Sequence, residues 1–142
     1  MRGVVIPGHR VASGLNNNPK YPGGTLRMQL QFFKELGLDL SQYYLGTLNI
    51  QTSSTLKLIK PFKTFQNVKW CEDPAETFSF IQILLECKGD KTEGLIYWPH
   101  PETKPFHFQD SKVVEVLTVF NDKIKYGDEV TVHILNEEAR FE

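Results

Sequence analysis

The chain has 142 residues, of which 40% are apolar and 12% aromatic, and its formal net charge is −1. This length fits one domain, since single cores usually gather in roughly 100–200 residues, so we expect residues 1–142 to form one domain. No apolar run approaches the roughly 20 residues that span a bilayer, and no basic excess would attract nucleic acid. We expect a cytoplasmic monomer that binds neither membranes nor nucleic acid.

The first 36 residues contain a strand, a loop and a helix. Two short β-prone pieces, residues 3–6 and 10–12, flank a Pro7-Gly8 turn, and residues 13–24 are rich in Gly, Asn and Pro. Thr25 is a suitable N-cap, and apolar residues then recur at helical spacing up to Gly37. The spacing predicts one amphipathic helix over residues 26–36, which Gly37 closes in a left-handed conformation.

The remainder is rich in β-branched and aromatic residues between turn residues. These runs predict strands at residues 45–52, 56–59, 68–70, 77–87, 94–98, 113–120 and 129–135. Turn chemistry at residues 88–91 predicts a long hairpin between two of them. Cys71 and Cys87 lack metal-binding spacing, and we interpret them as reduced, small apolar side chains. The pattern predicts a mainly β fold, a barrel with one prominent helix.

The most chemically specific segment is the strand entry Gly46-Thr47-Leu48-Asn49. Side chains at i and i+2 share a strand face, so Thr47 and Asn49 point outward while Leu48 and Ile50 point into the core. Their hydroxyl and amide oxygens are ligands that Mg²⁺ accepts when a nucleotide supplies the negative charge. The alternative is that both are ordinary polar strand residues.

Several segments in the same order resemble the CTP-dependent riboflavin kinases of archaea. The matching segments are Val11-Ala12-Ser13-Gly14-Leu15, the helix ending at Leu36-Gly37, Tyr44-Leu45-Gly46-Thr47-Leu48-Asn49-Ile50 and Gly127-Asp128-Glu129-Val130. The specific part of the likeness covers residues 9–50, and a looser part covers residues 99–134. The resemblance implies a six-stranded cradle-loop barrel like that of riboflavin kinase.

The resemblance also implies roles for individual residues. It makes Thr47 and Asn49 the Mg²⁺ ligands and places Glu115 where the family has a glutamate that contacts the flavin. Glu115 would orient or deprotonate the acceptor hydroxyl. Thr103 and His107 are candidates for further substrate contacts. The loop that would cover the nucleotide consists of Ser13, Gly14, Leu15, Asn16, Asn17 and Asn18.

The implied function is transfer of the γ-phosphoryl group of a nucleoside triphosphate, CTP in the family, to riboflavin with Mg²⁺, giving FMN. Two departures keep other functions open. The family's glycine- and glutamate-containing nucleotide loop is replaced by an Asn-rich segment, and residues 116–126 contain no arginine. The alternatives are a barrel that binds a nucleotide or a flavin without catalysis, and a protein-interaction module.

Overall fold

The computed structural model describes residues 1–7, 24–103 and 110–142. Within these ranges the chain forms nine strands, one α-helix and a short 3-10 turn at Pro101–Thr103. The elements are β1 (Arg2–Ile6), α1 (Thr25–Glu35), β2 (Leu48–Thr52), β3 (Leu56–Leu58), β4 (Lys63–Val68), β5 (Glu76–Cys87), β6 (Asp90–Pro99), β7 (Val113–Leu117), β8 (Glu129–Ile134) and β9 (Ala139–Phe141).

Six of the strands form a closed antiparallel barrel. Their order around the ring is β5-β6-β7-β2-β1-β8, and β8 closes the ring by pairing with residues 83–86 of β5. The first half of β5 extends beyond the ring and pairs with β4, while β3 and β9 form a separate two-stranded sheet. The prediction of a mainly β, six-stranded barrel with one helix is confirmed.

The barrel interior is filled with apolar side chains. Alternate residues of the six strands point inward, and with Leu56 and Ala139 they form a continuous cluster, the barrel core. Its members include Val5, Ile50, Ile81, Ile83, Leu85, Ile96, Val114, Val116, Val130 and Val132. Because apolar side chains fill this space, the polar side chains of a functional site are expected on the outer face of the barrel.

A second apolar cluster, the helix-side core, lies between α1 and the outer face of β5 and β6. Phe33 of α1 is fully buried, and its ring centroid lies 5.1 Å from that of Phe78 and 5.2 Å from that of Phe80, both in edge-to-face geometry. Leu26, Tyr97 and Leu117 belong to the same cluster. The helix therefore sits outside the barrel and covers one part of its surface.

The ends of α1 follow the predictions only in part. Gly24, with φ 95°, occupies the N-cap position without a side-chain cap bond, and Thr25 is already helical, so the prediction of Thr25 as the cap is wrong. At the other end Gly37 has φ 104°, and the Leu38 N–H donates to the Phe33 carbonyl at 2.8 Å. The prediction that a left-handed Gly37 closes the helix is confirmed.

The long hairpin is confirmed as well. β5 and β6 pair from Phe78–Pro99 to Cys87–Asp90, and a two-residue turn joins them. Lys88 and Gly89 both have positive φ, 52° and 86°, as a type I′ turn requires.

One strand prediction fails and one strand was missed. The predicted strand at residues 68–70 overlaps β4 only at Val68, which pairs with Glu76 after a register irregularity that includes Asn67 at φ 55°. The strand β9 was not predicted.

The predicted strand at residues 10–12 lies outside the described ranges. Cys71 and Cys87 are free thiols. In the described part of the chain, no helix has the length and apolarity to cross a membrane.

Candidate functional site

Three of the predicted site residues meet on the outer face of the barrel. Asn49 of β2 lies directly opposite Glu115 of β7, and the Thr47 hydroxyl donates a hydrogen bond to Glu115 Oε1 at 3.1 Å. Their strand neighbours Ile50 and Val114 point into the barrel core, so strand alternation turns Asn49 and Glu115 outward. The structure therefore brings Thr47, Asn49 and Glu115 together.

This outer face is less exposed than the strand pattern suggested. Asn49 points away from the barrel core but is only 8% exposed, and Thr47 and Glu115 are half-buried. The hydroxyl, the amide and the carboxylate of these residues are therefore partly shielded from solvent. Electrostatic interactions are stronger there than in open water.

The polar group continues across the next strand to Tyr97, which lies opposite Glu115 in the β6–β7 pairing. The Tyr97 hydroxyl is buried and donates to Gln29 Oε1 of α1 at 2.7 Å. Burial raises the pKa of Tyr97 well above its ordinary value, and the negative charges of Glu115 and Glu76 raise it further. The phenol therefore stays neutral.

Sequence reasoning did not identify Gln29 or Tyr97 as part of this group. Gln29 lies three residues after Leu26 and four before Phe33, on the buried face of α1, and is itself 1% exposed. A glutamine at such a position needs a polar partner inside the protein. The helical period could therefore have indicated a buried polar contact, although not the strand that supplies it.

The oxygen atoms of the group suit a hard cation. Mg²⁺ takes oxygen ligands and retains waters and substrate phosphates, so it needs few groups from the protein. Thr47, Asn49 and Glu115 offer a hydroxyl, an amide carbonyl and one carboxylate within one patch. Over residues 1–7, 24–103 and 110–142, no cluster of three or more His, Cys, Asp or Glu could hold a metal ion. The fit to Mg²⁺ therefore rests on this mixed oxygen set.

Thr103 lies elsewhere, in the turn after β6. Its hydroxyl accepts from the Thr77 N–H at 2.9 Å and donates to the His100 carbonyl at 3.0 Å. These bonds fasten the turn to the start of β5. The role of Thr103 in substrate binding stays a prediction.

The other predicted contacts lie outside the described residues. These are His107 and the nucleotide-loop residues Ser13, Gly14, Leu15, Asn16, Asn17 and Asn18. The described chain leaves β1 after Ile6, which lies opposite Asn49 in the β1–β2 pairing, and resumes at Gly24, the N-cap of α1.

A separate polar cluster lies where β5 extends beyond the barrel. His100 Nε2 lies 2.7 Å from Ser79 Oγ, and His100 Nδ1 lies 3.1 Å from Glu102 Oε1. This order of hydroxyl, imidazole and carboxylate is the one that serine hydrolases use. Ser79 is fully buried, however, and also bonds to Thr64, so we interpret the cluster as an anchor for the turn after β6.

No protein-family model matches the chain, and no curated protein matches its sequence.

Proposed function

We propose that this protein is a Mg²⁺-dependent phosphotransferase that moves the γ-phosphoryl group of a nucleoside triphosphate to the ribityl hydroxyl of riboflavin, giving FMN. The donor is CTP in the family that the chain resembles. The observation that carries the proposal is the convergence of Thr47, Asn49 and Glu115 on one partly buried outer face. Two neutral oxygen ligands next to one carboxylate are a minimal set for this chemistry.

Each residue has a distinct task in the proposed reaction. Thr47 and Asn49 would hold Mg²⁺, which supplies neutralisation of the charge on the donor phosphates. Glu115 accepts the proton of the acceptor hydroxyl as that oxygen bonds to the γ-phosphorus, and the bond to the bridging oxygen of the β-phosphate breaks. The hydrogen bond from Thr47 orients the Glu115 carboxylate. Positioning and charge stabilisation dominate phosphoryl transfer, and these groups would contribute to both.

Further observations support the proposal. The Glu115 carboxylate lies beside Thr47 and Asn49 and would supply negative charge to a metal cation held there. The closed barrel supplies a rigid base, since Asn49 and Glu115 belong to paired strands rather than to loops. We place the reaction in the cytoplasm, where the free thiols of Cys71 and Cys87 would stay reduced.

A second candidate is a barrel that binds a nucleotide or a flavin without catalysis. Residues 116–126, which follow the Glu115 strand position, contain no arginine that could hold a transferred phosphate. Such a protein would retain the oxygen set and bind ligand, but would produce no FMN.

The test is calorimetric titration of the purified protein with riboflavin, CTP and ATP, each with and without Mg²⁺, followed by chromatography for FMN. The proposal expects Mg²⁺-dependent nucleotide binding and FMN formation. Glu115→Gln keeps an oxygen acceptor for Thr47 and should retain nucleotide binding while FMN formation falls by about 10²–10⁴-fold, the usual contribution of a general base. Glu129→Gln, an exposed carboxamide change on β8, is the matched control.

The metal ligands need a variant that separates binding from folding, because Asn49 is buried. Asn49→Ala should weaken Mg²⁺-nucleotide binding, whereas Asn49→Asp retains an oxygen and places a second carboxylate opposite Glu115. Mg²⁺ should therefore raise the Tm of Asn49→Asp more than that of the wild type, since it relieves like-charge repulsion. Ligand binding without FMN would favour the non-catalytic barrel. Unchanged nucleotide binding in Asn49→Ala would refute the metal assignment.

A further inference from the structure

The connection between β3 and β4 exposes two large apolar side chains among three lysines. Ile59 is 54% exposed and Phe62 is 41% exposed. Lys57 and Lys60 are exposed as well, and Lys63 is half-buried, with its ammonium group 5.7 Å from the centroid of the Phe62 ring. We call these five residues the basic-apolar surface. Large apolar side chains that are exposed within one short segment indicate a contact site more strongly than single exposed residues do.

The backbone of this surface is held in place by the rest of the fold. Leu58 of β3 packs against the barrel core, and Lys57, next to it in the strand, points the other way. The N–H groups of Ile59 and Lys60 both donate to the Glu138 carbonyl, at 3.0 Å and 2.9 Å. These bonds fix the start of the connection and leave the Ile59 side chain in solvent.

The positive charge of this surface is unbalanced. Residues 40–71 contain four lysines and no Asp or Glu, so they carry +4, whereas the whole chain carries −1. In the described part of the chain, none of Lys57, Lys60 and Lys63 takes part in an ion pair. The expectation that the chain avoids membranes was based on its net charge and on the lack of a spanning run, and neither reports this local excess.

Two carboxylates near the surface have partners of their own. The Glu138 residue is 6% exposed, and its carboxylate accepts a hydrogen bond from the Gln82 N–H at 2.9 Å. Glu142 is paired with Arg140, which lies opposite Lys57 in the β3–β9 pairing. The three lysines are therefore left to attract an external anion.

We infer that the basic-apolar surface binds the surface of a bilayer that contains anionic lipids. The inference goes beyond the proposed function and does not depend on it. Ile59 and Phe62 enter the boundary between headgroups and acyl chains, and the lysines stay at the level of the anionic headgroups. Acyl chains accept an aliphatic and an aromatic side chain alike. Single-stranded nucleic acid stacks its bases on aromatic faces and offers no comparable contact to Ile59.

The experiment is co-sedimentation of the purified protein with vesicles of phosphatidylcholine, and with vesicles in which a quarter of this lipid is replaced by phosphatidylserine. The wild type should bind only the vesicles that contain phosphatidylserine, and added salt should weaken binding because it screens exposed charges. Failure of the wild type to bind these vesicles at low salt would overturn the inference.

The lysines are tested by the triple variant Lys57→Gln/Lys60→Gln/Lys63→Gln. A lysine near an anionic bilayer strengthens binding about fivefold, so the triple variant should bind about 100-fold more weakly. The matched control has the same net charge but leaves the charges beside Ile59 and Phe62 in place, and should lose much less. It changes three other exposed lysines, Lys91→Gln/Lys112→Gln/Lys125→Gln. An equal loss in the control would show attraction without a defined surface and overturn the assignment.

The apolar side chains are tested by Ile59→Ser/Phe62→Ser, which should weaken binding by at least about 10-fold, because the side chains leave water on binding. Val119→Ser/Phe120→Ser removes two other exposed apolar side chains, 47% and 69% exposed, and should bind like the wild type. Equal binding by both double variants would refute insertion. Thermal midpoints equal to that of the wild type should show that all these variants fold.

A gain of signal comes from Phe62→Trp, which keeps an aromatic side chain at the same position. Lipids brominated on their acyl chains should quench the fluorescence of this variant more than that of the wild type. Quenching equal to that of the wild type would overturn the insertion of Phe62. Vesicle binding that survives in the lysine triple variant, together with loss of binding to a single-stranded oligonucleotide, would assign the surface to nucleic acid and overturn the inference.

Discussion

The hydrogen bond between Tyr97 and Gln29 offers the sharpest test of how α1 is held over the barrel. Both residues are buried, and the Tyr97 hydroxyl donates to Gln29 Oε1 at 2.7 Å. Tyr97→Phe removes one oxygen atom without changing the ring that packs on Phe78 and Phe80. The change thus tests the polar contact rather than the aromatic packing.

The expected loss follows from the position of Gln29, which is 1% exposed. A buried acceptor that loses its donor costs about 1–3 kcal/mol, so the free energy of unfolding of Tyr97→Phe should fall by that amount. For a domain of this size each kcal/mol corresponds to roughly 3 °C in Tm. The double variant Tyr97→Phe/Gln29→Leu replaces both partners with apolar groups and should recover much of the loss.

Urea denaturation of the wild type, both single variants and the double variant closes the thermodynamic cycle. The expected coupling energy is about 1–2 kcal/mol, with the m-value unchanged. Additive effects of the two substitutions would refute the argument, since they would mean that the two side chains do not depend on each other.

Alkaline pH gives a second readout of the same phenol. The folded-state pKa of Tyr97 is raised by burial first and by Glu115 and Glu76 next, so folding favours the neutral form. The corresponding stability is fully present below the ordinary tyrosine pKa of about 10 and is lost as the pH rises through the higher folded pKa. Above about pH 10 the wild type should therefore lose stability more steeply than Tyr97→Phe. Parallel pH profiles would contradict this assignment.

Three further outcomes are expected. Trp70→Phe removes the indole that donates to the buried Glu76 carboxylate at 2.7 Å, and should lower the free energy of unfolding by about 2–3 kcal/mol in urea. Gly94→Ala would place a Cβ 2.6 Å from the Leu117 carbonyl oxygen, and should lower it by about 1–3 kcal/mol in the same assay. Burial raises the pKa of the Cys87 thiol, so a thiol reagent should label it slowly until denaturant is added, and rapid native labelling would contradict this.

The elements that local rules specify were predictable from sequence. The helical period and Gly37 defined α1, and the turn at Lys88-Gly89 defined the hairpin. Two local features were nevertheless predicted wrongly. Trp70 is a residue type that is common in strands, but β4 ends at Val68 and the Trp70 indole donates to Glu76, six positions later. Thr25 has a side chain that often caps helices, but Gly24 occupies the N-cap position and Thr25 is the first helical residue.

The site depends on both local and long-range information. The period of two in β2 indicated that Thr47 and Asn49 share a face, because alternation is a property of one strand. That Glu115 lies opposite Asn49 depends on the β2–β7 pairing, which the sequence alone does not specify. The family resemblance suggested only that both residues belong to one site. Tyr97 and Gln29 are 68 positions apart, and no local pattern links them.

Three buried polar groups on the outer face near α1 support the proposal that the functional site lies there. The barrel core consists of apolar residues, so the ring itself needs no polar chemistry for its stability. On the outer side, by contrast, the fold buries Gln29, Asn49 and Glu76 close to apolar packing, although burying polar groups is costly unless each is bonded. Apolar side chains of similar volume would pack there at lower cost. Departures from local packing rules concentrate at functional sites, and this one adjoins Glu115.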